Sequence, residues 1–161
     1  MSSNAIVHAV GFPLWKRKHV RTFLQPAEVR FVSTPSLLAR GEKTTVATWG
    51  LRLPDEQFPP DCVVWRLEDG FLRSVGLGTD LTPPLSWVKD ARGIYYDPSG
   101  PSDLEHLLAT HHFSAAQQAR AKALGARIRT AGLTKYNVGS CAWRRPAAAA
   151  RVILVPGQVE S

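Results

Sequence analysis

Two adjacent carboxylates, Glu68 and Asp69, come shortly after an apolar run and are the strongest candidates for chemistry in this sequence. Residues 62–65 have the composition of a buried strand, so the pair stands near a strand end, where open α/β sheets present reactive groups. Carboxylates at such a position can act as nucleophile or as general acid and base. Neighbouring residues of an extended strand point to opposite faces, so the two need not share one task. The alternative is a solvated turn built on Asp69 and Gly70.

Two arginines, Arg66 and Arg73, bracket the acidic pair. The guanidinium group matches a carboxylate with two parallel hydrogen bonds, so either arginine can hold a carboxylated substrate. Both can equally be internal ion-pair partners of Glu68 and Asp69. The sequence leaves these two alternatives open.

A glycine-bearing loop follows the acidic pair and contains Gly76 and Gly78. Its backbone N–H groups are candidates for binding an anion, and a plain tight turn is the alternative. Pro83 and Pro84 stiffen the segment because each proline fixes its own φ. The loop is not a dinucleotide-binding fingerprint, since Leu81 occupies the place of the third glycine.

Basic and aromatic residues meet at the predicted start of the first helix, where Lys16 and Arg17 follow Trp15. This combination suits an anionic lipid head group or a phosphorylated acceptor. The alternative is an amphipathic helix with its tryptophan in the core. Near the other end of the sequence, Gly157 and Gln158 follow an apolar run, and a loop there suits the phosphate or ribose of a nucleotide.

Composition narrows the class of protein. The 161 residues are 44% hydrophobic with a formal net charge of +7, which indicates one globular domain and an anionic partner. The basic residues are dispersed and no nucleic-acid-binding signature is present, so nucleic acid is a weaker alternative as partner. No spacing of metal ligands is complete, so we expect no metal site. Without a long apolar run or a signal peptide, we expect a cytoplasmic protein, with peripheral association at the inner membrane as an extension.

Alternating strand and helix patterns predict an α/β fold with a mostly parallel sheet. Four strands are predicted over residues 5–10, 29–32, 45–49 and 62–65, and a β-hairpin over 86–89 and 94–96. A helix opens near Pro13, a short one covers 36–40, and two later helices begin at capping boxes, Ser102-x-x-Glu105 and Ser114-x-x-Gln117. A last strand is predicted over 151–155.

The segment RLEDGFLRSVGLG at 66–78 resembles bacterial capsule polysaccharide biosynthesis and export proteins that act as retaining β-Kdo transferases. Four further segments carry the same resemblance, in the family's order: GF at 11–12 with WKR at 15–17, RGIYYD at 92–97, TKYN at 134–137 and VPGQV at 155–159. The resemblance covers nearly the whole sequence. It implies the first, acceptor-side domain of a two-domain GT-B-type glycosyltransferase at 1–143, a linker at 144–150, and the first strand and loop of a donor-binding domain at 151–161.

The same resemblance implies a function. The donor is CMP-Kdo, the acceptor is a lipid-linked saccharide, no cofactor is needed, and Glu68 and Asp69 supply the two carboxylates of a retaining transfer. Because family modules continue into a second α/β domain, we expect this chain alone not to transfer Kdo unless another chain supplies that half. The alternative is a non-catalytic fragment that keeps the fold and acceptor binding.

Overall fold

A five-stranded sheet forms the centre of the computed structural model, which describes residues 5–38, 43–140, 142–148 and 151–155. Its strands, in chain order, are β1 (Ile6–Val10), β2 (Glu28–Val32), β3 (Thr45–Trp49), β4 (Val63–Asp69) and β5 (Trp87–Asp90). The spatial order is β2-β1-β3-β4-β5. The first four strands pair in parallel and β5 pairs antiparallel with β4, which confirms the predicted mostly parallel α/β sheet.

Apolar residues on both faces of the sheet explain why it is central. Val7, Ala9, Ala47 and Leu67 pack in one cluster beneath the first helix, α1 (Leu14–Phe23). A second cluster contains the buried residues Val10, Leu38, Val46 and Phe58. Strands covered on both faces are typical of parallel sheets, where connections run over each face. The carboxyl ends of β1, β3 and β4 therefore share one edge, and each leads into a loop.

In the described ranges three α-helices accompany the sheet, and local chemistry sets where they begin. Helix α1 follows Pro13, which occupies its N-cap position. Helices α2 (Asp103–Thr110) and α3 (Ala115–Thr130) begin at complete capping boxes at Ser102 and Ser114, as predicted. Across the described residues, no helix combines the length and apolar character needed to cross a bilayer.

The predicted hairpin over 86–89 and 94–96 is wrong. The segment from Trp87 to Asp90 instead pairs with the end of β4, opposite Asp69 to Arg66. The Asp90 carboxylate then accepts hydrogen bonds from the backbone N–H groups of Arg92, Gly93 and Asp103, which turns the chain toward α2. Ile94 is fully buried but belongs to no strand. A side-chain cap therefore takes the place of a second hairpin strand.

Two other segments differ from expectation. The helix predicted over 36–40 is a 3₁₀ turn at Pro35–Leu37, and Arg40 lies outside the described residues. Residues 151–155 form no strand, and their apolar side chains are exposed. A strand requires a hydrogen-bonding partner strand, and the described part of the chain supplies none there.

Candidate active site at the carboxyl edge of the sheet

A pocket of about 410 Å³ opens at the carboxyl edge of the sheet, between the start of α1, the ends of β3 and β4, and the loop after β4. Its lining includes Lys16, Trp49, Glu68, Asp69, Arg73 and Gly78. We call it the acidic-pair pocket. The two carboxylates are the last residues of β4, at the strand end where the sequence predicts them.

Asp69 is held by a nearly buried arginine. The Nε atom of Arg73 lies 2.8 Å from Asp69 Oδ2, and the side chains are 2% and 15% exposed. The same guanidinium group donates to Ser74 Oγ at 2.9 Å and to the carbonyl oxygen of Thr82 at 3.1 Å. Of the two alternatives for Arg73, the structure therefore shows an internal ion pair. Asp69 Oδ1 is buried and has no hydrogen-bond partner among the described residues.

Glu68 lies in a different environment. One carboxylate oxygen accepts a hydrogen bond from the backbone N–H of Asp69 at 2.8 Å. Burial, as the largest effect, raises the pKa of Glu68, and the neighbouring charge of Asp69 acts in the same direction. A carboxyl group with a raised pKa can hold a proton closer to neutral pH than an exposed one and so can act as acid and base.

Lys16 supplies a cation on the opposite wall of the pocket. Its Nζ atom lies 3.0 Å from the centroid of the Trp49 ring. Burial lowers the pKa of Lys16 to about 8, although Asp69 and Glu68 pull it upward. The group remains mostly protonated at neutral pH, so the pocket combines two carboxylates with a partly desolvated ammonium group. Lys16 is therefore placed to contact an anionic substrate.

The glycines of the loop after β4 serve packing as well as the site. A Cβ atom on Gly78 would lie 2.9 Å from the Arg73 guanidinium group, so glycine lets the loop close over that side chain. Gly76 has a φ of +112° and its backbone N–H donates to the carbonyl oxygen of Tyr136. Gly78 lines the acidic-pair pocket, whereas Gly76 lies outside its lining and holds the loop through its hydrogen bond to Tyr136.

Residues 135–137, which are distant in sequence, form hydrogen bonds that hold the loop after β4 in place. The carbonyl oxygen of Lys135 accepts hydrogen bonds from the backbone N–H groups of Arg73 and Ser74. Asn137 donates from Nδ2 to the carbonyl oxygen of Ser74 at 2.9 Å, across 63 positions of sequence. Asn137 has a φ of 52°, a left-handed conformation that asparagine tolerates better than most residues. The segment that resembles the family at 134–137 therefore orders the loop of the site.

Two predicted binding residues lie elsewhere. Arg66 is 4% exposed and turns away from the acidic pair; it donates to the carbonyl oxygens of Gly50 and Leu53 and pairs with Asp55. Three acceptors in the loop after β3 thus engage its guanidinium group in internal contacts, and its role as a substrate ligand stays a prediction. Arg17 donates to the Phe12 carbonyl oxygen and does not line the pocket. Gly157 and Gln158 lie outside the described residues.

Sequence reasoning missed two aromatic walls of the pocket, Trp49 and Tyr136. Trp49 ends β3, the strand next to β4, so its position at a neighbouring carboxyl end was an available signal. Tyr136 belongs to the segment at 134–137 that resembles the family, but only the hydrogen bonds of Lys135 and Asn137 bring it to the loop. No group of three or more histidine, cysteine, aspartate or glutamate side chains in the described ranges is arranged to hold a metal ion.

Several known proteins are similar to this chain in sequence. Residues 60–139 match the family model for capsule polysaccharide biosynthesis proteins. The chain is 36% identical to the capsule polysaccharide modification protein LipA of Neisseria meningitidis, over 96% of this chain and 23% of LipA. It is 34% identical to the lipopolysaccharide-processing protein LpsZ of Rhizobium meliloti, over 96% of this chain and 39% of LpsZ. The chain thus spans well under half the length of these curated relatives.

Two solved structures from Thermosulfurimonas dismutans share the fold. The KpsC β Kdo 2,4 transferase superposes with a TM-score of 0.71 at 31% identity, covering 90% of this chain and 46% of that one. The KpsC β Kdo 2,7 transferase superposes with a TM-score of 0.62 at 30% identity, covering 77% and 42%. The family match, the relatives and the shared fold lead to one conclusion: the chain belongs to the capsule polysaccharide biosynthesis protein family, of whose longer members it spans a part.

Proposed function

We propose that this chain forms the acceptor-side part of a retaining β-Kdo transferase, which moves Kdo from CMP-Kdo to a lipid-linked saccharide during capsule polysaccharide biosynthesis. The observation that carries the proposal is the pocket at the carboxyl edge of the sheet, where Glu68 and Asp69 meet Lys16 and Arg73. Its support is the likeness to two structures named as β Kdo transferases. Retaining transfer through a covalent intermediate uses two carboxylates in different roles.

We assign the nucleophile to Asp69. Arg73 orients its carboxylate through Oδ2, while Oδ1 has no hydrogen-bond partner in the described part of the chain. An unsatisfied buried oxygen is costly, and a catalytic role is one explanation for its retention. In the first step a carboxylate oxygen of Asp69 would bond to the anomeric carbon of Kdo as the bond to the CMP phosphate breaks, and CMP would leave with the electron pair.

We assign the acid/base role to Glu68. Its raised pKa suits removal of the proton from the acceptor hydroxyl as that oxygen displaces Asp69 from the anomeric carbon. Lys16, with a pKa of about 8, would stabilise negative charge on the sugar carboxylate or the leaving phosphate. The two displacements together return the anomeric centre to its starting configuration.

The experiment measures Kdo transfer from CMP-Kdo to a Kdo-primed lipid acceptor by mass spectrometry. In a two-domain relative, substitutions matching Asp69→Asn and Glu68→Gln are tested separately. The Glu68→Gln match should slow transfer about 10²–10⁴-fold, the range for loss of a positioned acid or base, and the Asp69→Asn match, which lacks the nucleophile, should slow it at least as much. The Glu68→Gln match should also accumulate a Kdo–protein adduct, because the second displacement lacks its base. Wild-type rates in both variants, at unchanged stability, would refute the assignment.

Acceptor binding without turnover is the second candidate for this chain by itself. It is favoured by the coverage of the two solved structures, of which this chain matches 42% and 46%. The purified chain should bind the acceptor in a titration, yet form no product in the transfer assay without a partner. Product formed by this chain alone would show that it holds both the donor and the acceptor.

A further inference from the structure

A second pocket lies where the strand order changes direction. In the order β2-β1-β3-β4-β5, the connections from β1 and β3 leave the sheet in opposite directions, which opens a crevice at their carboxyl ends. A pocket of about 430 Å³ occupies this place and is lined by residues that include Gly11, Ser33, Thr34, Ser36, Arg52 and Leu53. We call it the switch-point pocket. The proposed transfer chemistry uses none of these residues.

The polar groups of the switch-point pocket favour an anionic ligand that carries hydroxyl groups. Arg52 is exposed, and its guanidinium group forms no ion pair with a carboxylate of the described residues. Among the described residues, no aspartate or glutamate lines the pocket. Three side-chain hydroxyls line the same pocket as Arg52, and two of them, Thr34 Oγ1 and Ser36 Oγ, lie 2.8 Å apart. A guanidinium group binds a carboxylate with two hydrogen bonds, and the hydroxyls can pair with those of a sugar.

The side chain of Arg66 fixes the loop that carries Arg52. The buried guanidinium group of Arg66 donates to the carbonyl oxygens of Gly50 and Leu53 and pairs with Asp55, so it ties together both ends of the segment around Arg52. On the other side, the backbone N–H of Gly11 donates to the Val32 carbonyl oxygen at 3.0 Å. A preformed wall reduces the entropy that binding must overcome.

The switch-point pocket adjoins the acidic-pair pocket through one segment. Trp49 lines the acidic-pair pocket, and Arg52, three residues later, lines the switch-point pocket. Gly50 lies between these two residues in the sequence. A Cβ atom built on it would lie 3.1 Å from Glu68 Oε2, so this segment runs close to the Glu68 carboxylate. The positive charge of Arg52 also contributes to the lowered pKa of Lys16, although burial is the larger cause. A saccharide whose end occupies the acidic-pair pocket can therefore continue along residues 49–52.

We propose that the switch-point pocket is a subsite for the acidic saccharide of the acceptor, in which Arg52 binds the carboxylate of a sugar that does not itself react. Ser33 and Ser36 contact the hydroxyls of that sugar. The inference rests on the proposed function and deepens it, because it names the groups that recognise the acceptor chain. A nucleotide phosphate is the competing anion, and the test separates the two.

The test compares ligands by isothermal titration calorimetry with the purified chain. The probes are a β-linked Kdo disaccharide, the methyl glycoside of one Kdo, CMP and inorganic phosphate. Arg52→Gln should weaken disaccharide binding about tenfold, the effect of losing a charge-assisted hydrogen bond. The methyl glycoside, which carries the same carboxylate, should lose affinity in the same direction, whereas CMP and inorganic phosphate should be unchanged. Arg120→Gln, an exposed arginine of α3 outside both pockets, is the matched control and should bind like the wild type.

The results separate this inference from the proposed function. Unchanged disaccharide affinity in Arg52→Gln, or no disaccharide binding by the wild type, overturns the subsite. A loss confined to CMP or phosphate also overturns it and assigns the pocket to a nucleotide. Arg52-dependent disaccharide binding, with wild-type transfer in both carboxylate variants of the relative, would keep the subsite and refute the catalytic assignment.

Discussion

Replacing Arg73 with methionine tests whether the ion pair with Asp69 organises the site. The substitution removes a cation that is 2% exposed and lies 2.8 Å from Asp69 Oδ2. It also removes the donors to Ser74 Oγ and to the Thr82 carbonyl oxygen. Breaking a buried pair by removing one partner costs about 3–5 kcal/mol, because the remaining charge is uncompensated. We expect a loss of this size in the free energy of unfolding.

Urea unfolding measures this loss, with Arg92→Met as the matched control. Arg92 pairs with Asp103 at 3.1 Å, but these side chains are 48% and 40% exposed. Exposed pairs contribute about 0–1 kcal/mol, so the control should change stability little. A double variant, Arg73→Met with Asp69→Asn, should recover part of the loss because the uncompensated charge is gone. Equal effects of Arg73→Met and Arg92→Met would refute the reasoning.

Three further predictions concern neighbouring residues. Burial raises the pKa of Glu68 above its ordinary 4.5, so its contribution to stability is present below that pH and is lost as pH rises through the raised value. Glu68→Gln should therefore gain stability over the wild type as urea unfolding is repeated from pH 4.5 toward neutrality, and a pH-independent difference would contradict this. Gly70→Ala places a methyl carbon 2.1 Å from Ser86 Oγ, and thermal unfolding should show a loss of about 1–3 kcal/mol. Its control, Gly100→Ala, meets no atom within 4 Å and should be nearly neutral; equal losses would argue against the clash. Ser102→Ala removes the buried cap of α2 and should cost about 1 kcal/mol in urea, whereas an unchanged midpoint would show that the cap is dispensable.

Features that depend on residues close in sequence were predictable. Both capping boxes form as expected because a cap and its partner are three positions apart and need no tertiary contact. The strands at 45–49 and 62–65 follow from β-branched and apolar runs, and β4 extends further to include the acidic pair. The position of Glu68 and Asp69 at the carboxyl end of a strand therefore follows from the local pattern of residues alone.

Features that depend on pairing between distant segments were not predictable. The sequence predicted a hairpin over residues 86–96. In the structure, the first half of this segment pairs instead with the edge of β4. Because β4 accepts that strand in antiparallel register, Trp87 lies opposite Asp69, and its ring packs against Trp49, which lines the acidic-pair pocket. A local pattern predicts that a segment is extended but cannot specify which strand it will pair with.

The sequence by itself determined the α/β class, the strand end that carries the two carboxylates, and the residue types available around them. Only the tertiary structure decided which arginine forms an ion pair with one of these carboxylates. Arg66 and Arg73 are equivalent in the sequence, but the loop after β3 engages Arg66, whereas the loop after β4 folds Arg73 onto Asp69. The contact of Lys16 with Trp49, from residues 33 positions apart, likewise exists only after α1 packs on the sheet. Ion pairs and ring contacts depend on distance in space, which chain connectivity alone does not specify.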